Sequence, residues 1–97
     1  MQFLQDIQPS VEQLKTITEL AELLTPPQQV AIELNISEDI FLSCLTSLEN
    51  PIRIAYIKGV AKTEKTLRAA AIDAAASGSP AAMEQCMTFL RNATHKL

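Results

Sequence analysis

The sequence predicts an all-α protein, and three observations carry that prediction. Hydrophobic residues make up 47% of the 97-residue chain but aromatic residues only 4%, so a core must consist mainly of Leu, Ile, Val and Ala. The chain holds just two glycines and few turn clusters, whereas a β-rich fold needs many turns and β-branched or aromatic runs. Apolar residues instead recur at three- and four-residue steps, as on an amphipathic helix. A chain this short is expected to form one small helical domain, residues 1–97.

The first helix is predicted over residues 11–24, with Ser10 as its N-cap. Its apolar stripe consists of Val11, Leu14, Ile17, Ala21 and Leu24. Before it, the apolar residues Phe3, Leu4 and Ile7 suggest a short helix or a docked arm that ends at Pro9.

Proline, asparagine and glycine mark the later helix boundaries. Thr25-Pro26-Pro27 separates the first helix from a short second one, and Asn35 tolerates the left-handed conformation that ends helices. Ser37 and Asn50 are suitable caps for the helices that follow them. The predicted helices after the first are residues 27–34, 38–48, 51–76 and 80–93, with the clearest break at Ser77-Gly78-Ser79-Pro80.

Residues 11–50 are predicted to form a helix-turn-helix-like unit, followed by the long helix and the C-terminal helix in residues 51–97. The small Ala31 stands where helices two and three would approach most closely, and Asn35 replaces the usual turn glycine. The residues expected to face inward are Val30, Leu34, Ile36, Phe41 and Cys44, with Ile40, Leu45 and Leu48 completing the apolar side.

The long helix and the break after it carry a resemblance to a protein family. Asn50-Pro51-Ile52-Arg53-Ile54-Ala55-Tyr56-Ile57-Lys58-Gly59 contains a "P-x-x-x-x-Y-x-x-G" pattern, and Ala76-Ser77-Gly78-Ser79-Pro80-Ala81-Ala82 is similar to an "A-x-x-G-x-P-x-A" hinge before a final helix. With the short helices before them, these segments resemble small-terminase-like and related phage helix-turn-helix proteins over residues 25–93. The resemblance implies DNA recognition by the N-terminal unit and helix-driven assembly by the C-terminal part.

Helix three departs from the DNA-reading pattern. Its outward face presents Glu38, Asp39, Leu42, Ser43, Thr46 and Glu49. That face lacks Arg, Lys, Asn and Gln, the side chains that most often pair with base edges or phosphates. Carboxylates at the start of a helix suit its dipole but repel a DNA backbone. The unit is therefore also interpretable as a structural or protein-contact element.

The basic residues concentrate in the second half of the chain. Residues 1–50 hold one basic residue, Lys15, against eight acids, whereas residues 51–97 hold seven basic residues against three acids. Either contact with nucleic acid or attraction between the halves of neighbouring subunits explains such an asymmetry. The candidate DNA-binding residues are Lys58, Lys62, Lys65 and Arg68 of the long helix, with Ser43 and Thr46 of helix three.

No motif indicates an enzyme, a cofactor, a small-molecule substrate or a metal site. The only histidine, His95, has no Cys or acid at ligand spacing, and no phosphate-binding loop or nucleophile–base pair stands out. Cys44 and Cys86 are expected to be buried thiols. Neither a signal peptide nor a membrane span is evident, so we expect a cytoplasmic protein.

The sequence therefore favours a DNA-binding protein of phage or prophage type, associated with DNA packaging or regulation and acting as a homo-oligomer on double-stranded DNA. DNA would meet the lysines of the long helix more than helix three. The alternative is a protein-interaction or assembly module that uses the same scaffold without DNA. An extra apolar surface on the long helix, formed by Ile54, Ile57 and Ile72, favours self-association in either case.

Overall fold

A computed structural model describes residues 8–96, and in that range the chain is all-α, as the sequence predicts. Phe3, Leu4 and Ile7, which were expected to form a short helix or arm, lie outside the described residues. The five helices are α1 (Val11–Glu22), α2 (Pro27–Leu34), α3 (Glu38–Thr46), α4 (Pro51–Ala76) and α5 (Pro80–Thr94).

Local chemistry explains most of the helix starts. Ser10 accepts a hydrogen bond from the Gln13 backbone, and the Gln13 side chain accepts one from the Ser10 backbone, which forms a capping box. The Asn50 side chain accepts from the backbone N–H of Ile52 in the first turn of α4. Ser37 occupies the N-cap of α3, but its hydroxyl accepts no backbone hydrogen bond there.

Two helices end earlier than predicted. α1 ends at Glu22 because Leu24 adopts a left-handed backbone with φ of 59°, and the N–H of Thr25 reaches back to the carbonyl of Leu20. α3 ends at Thr46, so Leu48 lies in the following turn, where it is 77% exposed, and the prediction that Leu48 belongs to the core is wrong. α3 ends early because Asn50, the residue before Pro51, is biased away from helical backbone angles, and because the chain must change direction between α3 and α4 within a few residues.

The chain divides into two compact units, one ending at Thr63 and the other beginning at Glu64, so α4 contributes to both. The core of the first unit gathers side chains from α1 to α4 around the fully buried Phe41. Its buried members are Ile17, Val30, Ala31, Phe41, Cys44, Ile52 and Ala55. Leu34, Ile36, Ile40 and Leu45 pack against them, half-buried, on the side that the sequence predicts.

The second unit is a helical hairpin formed by the C-terminal part of α4 and by α5. Gly78 adopts φ of 99° at the break, Ser79 caps α5 by accepting from Ala82, and Pro80 follows as its first residue. Ala82 is the only residue of this hairpin that is buried, within the part of the chain that the structure describes. The prediction that both cysteines are buried holds for Cys44, whereas Cys86 is only half-buried.

Candidate functional site

The Pro51, Tyr56 and Gly59 pattern at the start of α4 is explained by how α4 packs on α1. Pro51 is the first residue of α4, and the Tyr56 hydroxyl donates a 2.8 Å hydrogen bond to the carbonyl of Thr25. A Cβ atom added at Gly59 would lie 2.3 Å from the Thr18 carbonyl oxygen and 2.6 Å from the Ala21 Cβ, so only glycine fits the helix crossing. These positions therefore serve the fold.

Three further hydrogen bonds join α4 to the helices before it. The Arg53 guanidinium donates to the carbonyl of Leu45 near the end of α3. The Thr63 hydroxyl donates to the carbonyl of Glu22, the last residue of α1. The Thr18 hydroxyl of α1 donates to the carbonyl of Ala55 at 3.2 Å. Arg53 is therefore bound to the scaffold and is separate from the exposed cations farther along α4.

The predicted basic residues of α4 fall in different surroundings. Lys58 and Lys62 belong to the first unit, and both are exposed. Lys62 forms a 3.2 Å salt bridge with Glu22 of α1, although its side chain remains 72% exposed. An ion pair this exposed contributes at most about 1 kcal/mol, so an incoming phosphate can replace the carboxylate at little cost.

Lys65 and Arg68 belong to the second unit, and both are exposed. Arg68 forms a 2.9 Å salt bridge with Glu64, one turn earlier. The Arg68 guanidinium also lies 5.6 Å from the centre of the Phe89 ring of α5, a cation–π distance. Arg68 thus has a structural role in the hairpin, and Lys65 is the better candidate for contact with a ligand.

The two candidates on α3 are poorly suited to bind DNA directly. The Thr46 hydroxyl is exposed but donates to the carbonyl of Ser43 within the same helix, at 2.8 Å, and Ser43 is half-buried. The carboxylates of Glu38 and Asp39 lie exposed in the first turn of α3, so the acidic outward face expected from the sequence is present.

The structure adds one cation that the sequence analysis did not select. Lys15 of α1 and Lys58 of α4 line the same open cleft, of about 420 Å³, whose other lining residues are Val11, Leu14, Thr18, Pro51, Ile54 and Ala55. In the sequence, Lys15 is the only basic residue of an acidic half of the chain, so no cluster of cations points to it. Its position beside Lys58 depends on the crossing of α1 and α4, which no local pattern reveals.

Neither a metal-ligand cluster nor an ionised thiol is present among the residues that the structure describes. No group of three or more His, Cys, Asp and Glu side chains lies close enough to hold a metal ion within residues 8–96. Burial raises the pKa of the Cys44 thiol, against the opposing effect of its hydrogen bond with Asn50, and burial also raises the pKa of the Tyr56 hydroxyl. Both groups are thus held in their neutral form.

Comparison with known proteins gives no match: no family model, no curated protein and no solved structure resembles the chain significantly. None of the helices in the described range is both long enough and apolar enough to cross a membrane.

Proposed function

We propose that this protein binds double-stranded DNA through the basic surface formed by Lys15, Lys58 and Lys62 of the first unit. The observation that carries the proposal is the placement of Lys15 beside Lys58 at one cleft, next to the exposed Lys62. Flexible ammonium groups bind phosphates as point charges, without a need for base contacts.

The mode of binding follows from where the charges lie. Phosphate contacts give affinity and salt dependence but little sequence information, so the interaction is expected to be sequence-tolerant. The acidic first turn of α3 disfavours its insertion into the major groove. Membership of a small-terminase-like, phage-type group and a role in DNA packaging or regulation stay predictions from the sequence pattern.

A gel-shift series with a matched pair of charge reversals tests the proposal. Lys15→Glu/Lys58→Glu removes two proposed contacts, and Arg91→Glu/Lys96→Glu gives the same net charge by changes in α5 and the residues after it. We expect only the first variant to abolish the duplex shift. For about three phosphate contacts, raising salt from about 50 to about 200 mM should weaken binding about 40-fold. Equal losses in both variants, or no shift of duplex at low salt, would refute the proposal.

The apolar surface of the hairpin favours a second function, self-assembly. Its large side chains Leu67, Ile72, Met83, Met87 and Leu90 are each at least half exposed. Ile72, Ala75, Ala76, Met83, Cys86 and Met87 line an apolar cleft of about 640 Å³. A hairpin with one buried residue has too small a core to be stable alone. A second copy of the chain on this surface would supply that core.

Light scattering after size-exclusion chromatography separates assembly from DNA binding. Met87→Glu places a charge in the apolar cleft, while Thr88→Glu places the same charge beside it on α5. We expect Met87→Glu to give monomers and Thr88→Glu to leave an oligomer. An unchanged oligomer in both variants, or a wild-type monomer at all concentrations, would rule out assembly through this surface. Assembly without any duplex shift would leave the interaction module as the function.

A further inference from the structure

The exposed charges of the second-unit hairpin differ in sign between its two ends. Asp73 and Glu84 lie toward the break between α4 and α5, which we call the turn end. Lys65 and Arg91 lie toward the opposite end, which we call the open end. All four side chains are exposed to solvent. These charges make the turn end acidic and the open end basic.

On α5, an acid and a base border the exposed apolar stripe. Glu84 and Arg91 are seven residues apart, so they lie on the same side of the helix, about two turns or about 10 Å from each other. Met87, which is 52% exposed, lies between them, one turn from each. Such a helix is complementary to a second copy of itself in the antiparallel orientation, because opposite charges then lie side by side.

α4 carries a second pair of opposite charges, centred at about the same level of the hairpin. Lys65 and Asp73 are eight residues apart on this helix. The Arg68 guanidinium lies 5.6 Å from the centre of the Phe89 ring, which sets the level of α4 against α5. Counted from that contact along the two antiparallel helices, the midpoint of Lys65 and Asp73 lies beside the midpoint of the charged pair on α5. A single two-fold axis therefore brings together both sets of opposite charges.

We infer that two copies of the hairpin pair antiparallel through the exposed apolar surface, with the acidic turn end of each copy beside the basic open end of the other. The inference rests on the self-assembly proposed above, and it adds the orientation of the copies and the residues that determine it. Glu84 lies beside the partner subunit's Arg91, and Asp73 lies beside the partner subunit's Lys65. A parallel pair brings like charges together, which is unfavourable, so the charges select one orientation.

Charge reversal on α5, followed by sedimentation velocity, tests the orientation. We expect Glu84→Lys to raise the dissociation constant of the dimer about tenfold, because two symmetry-related ion pairs become repulsive contacts. Adding Arg91→Glu in the same chain should restore association, since the two signs are then exchanged. Glu33→Lys makes the same change of charge at an exposed position of α2, and it should leave association unchanged. Tighter association after Glu84→Lys would indicate a parallel pair and overturn the inference.

Carbodiimide cross-linking of the natural protein provides a measurement without substitutions. The reagent joins an ammonium group directly to a neighbouring carboxylate, so the antiparallel dimer should give an amide bond between Lys65 and Asp73. Mass spectrometry of a mixture of chains with natural and heavy nitrogen shows whether the bond joins two chains.

The outcomes separate this inference from the proposals on which it rests. A dimer without the cross-link, or a Glu84→Lys variant that associates as tightly as the natural protein, would overturn the orientation but not the self-assembly. A protein that is monomeric at all concentrations would overturn both. The interface shares no residue with the proposed DNA surface, so a failure of DNA binding is a separate result.

Discussion

At the residue scale, the close approach of α4 to α1 depends on the absence of a side chain at Gly59. Gly59 faces Thr18 and Ala21 of α1 so closely that a methyl group would overlap both. Helix propensity alone favours alanine over glycine by about 1 kcal/mol in a helix interior. The overlap predicts that Gly59→Ala lowers the stability of the protein, whereas helix propensity predicts that it raises the stability. The measured change in stability therefore shows which effect is larger.

We therefore expect Gly59→Ala to lower the free energy of unfolding by about 3 kcal/mol, measured by urea denaturation, because a buried overlap forces the helices apart. Gly78→Ala is the comparison: no atom lies within 4 Å of its added Cβ, and only its left-handed backbone, with φ of 99°, resists the change. That strain costs about 1–2 kcal/mol. A Gly59→Ala variant more stable than the natural protein would contradict the helix crossing.

Leu24 shows a strained backbone that the sequence did not reveal. It adopts φ of 59° after the end of α1, a position that helices usually fill with glycine. We expect Leu24→Gly to raise the free energy of unfolding by about 0.5–1 kcal/mol, because glycine has no Cβ to clash there. Leu23→Gly should destabilise instead, since Leu23 has φ of −84°. Thermal denaturation of both variants checks these two predictions. A Leu24→Gly variant less stable than the natural protein would contradict the expected relief of backbone strain.

At the element scale, the helix boundaries that the sequence predicted are those set by local chemistry. α2 and the start of α4 depend on Pro27, Asn35 and Pro51, whose backbone preferences act within one or two residues. The ends of α1 and α3 were placed two residues too late, because a leucine in the left-handed region and the reversal before Pro51 depend on the surrounding fold. The cleft shared by Lys15 and Lys58 was missed for the same reason.

Three polar side chains of α4 stabilise the packing of α4 against the helices before it. Arg53, Tyr56 and Thr63 each donate to a carbonyl near the C-terminal end of α1 or α3, where carbonyls lack an N–H partner within their own helix. We expect Tyr56→Phe to lower the free energy of unfolding by about 1 kcal/mol, because the Thr25 carbonyl loses its donor while the ring remains.

Urea denaturation at neutral pH measures the Tyr56 effect, and Thr88→Val is the control. The Thr88 hydroxyl donates to Glu84 within exposed α5, so its loss should change stability by less than about 0.5 kcal/mol. Equal effects of the two substitutions would mean that the Tyr56 hydroxyl contributes no more to stability than an exposed helical hydroxyl.

At the scale of the whole molecule, the two units differ in what holds them together. The first unit encloses a cluster of buried side chains from four helices, whereas the hairpin of the second unit buries only Ala82 among the described residues. A backbone hydrogen bond opens most easily where few apolar contacts oppose the opening. α4, with its 26 residues, belongs to both units and so passes through both environments.

Native-state hydrogen exchange should therefore show different amide protection in the first and second parts of α4. We expect the amides of Ile52, Ala55 and Gly59 to exchange through global unfolding, and those of residues 64–76 and α5 to exchange through smaller openings with a lower free energy. If a second copy covers the hairpin, its protection should rise with protein concentration while that of the first unit stays constant. Uniform protection along α4 at the lowest workable concentration would show instead that the hairpin is stabilised within a single chain.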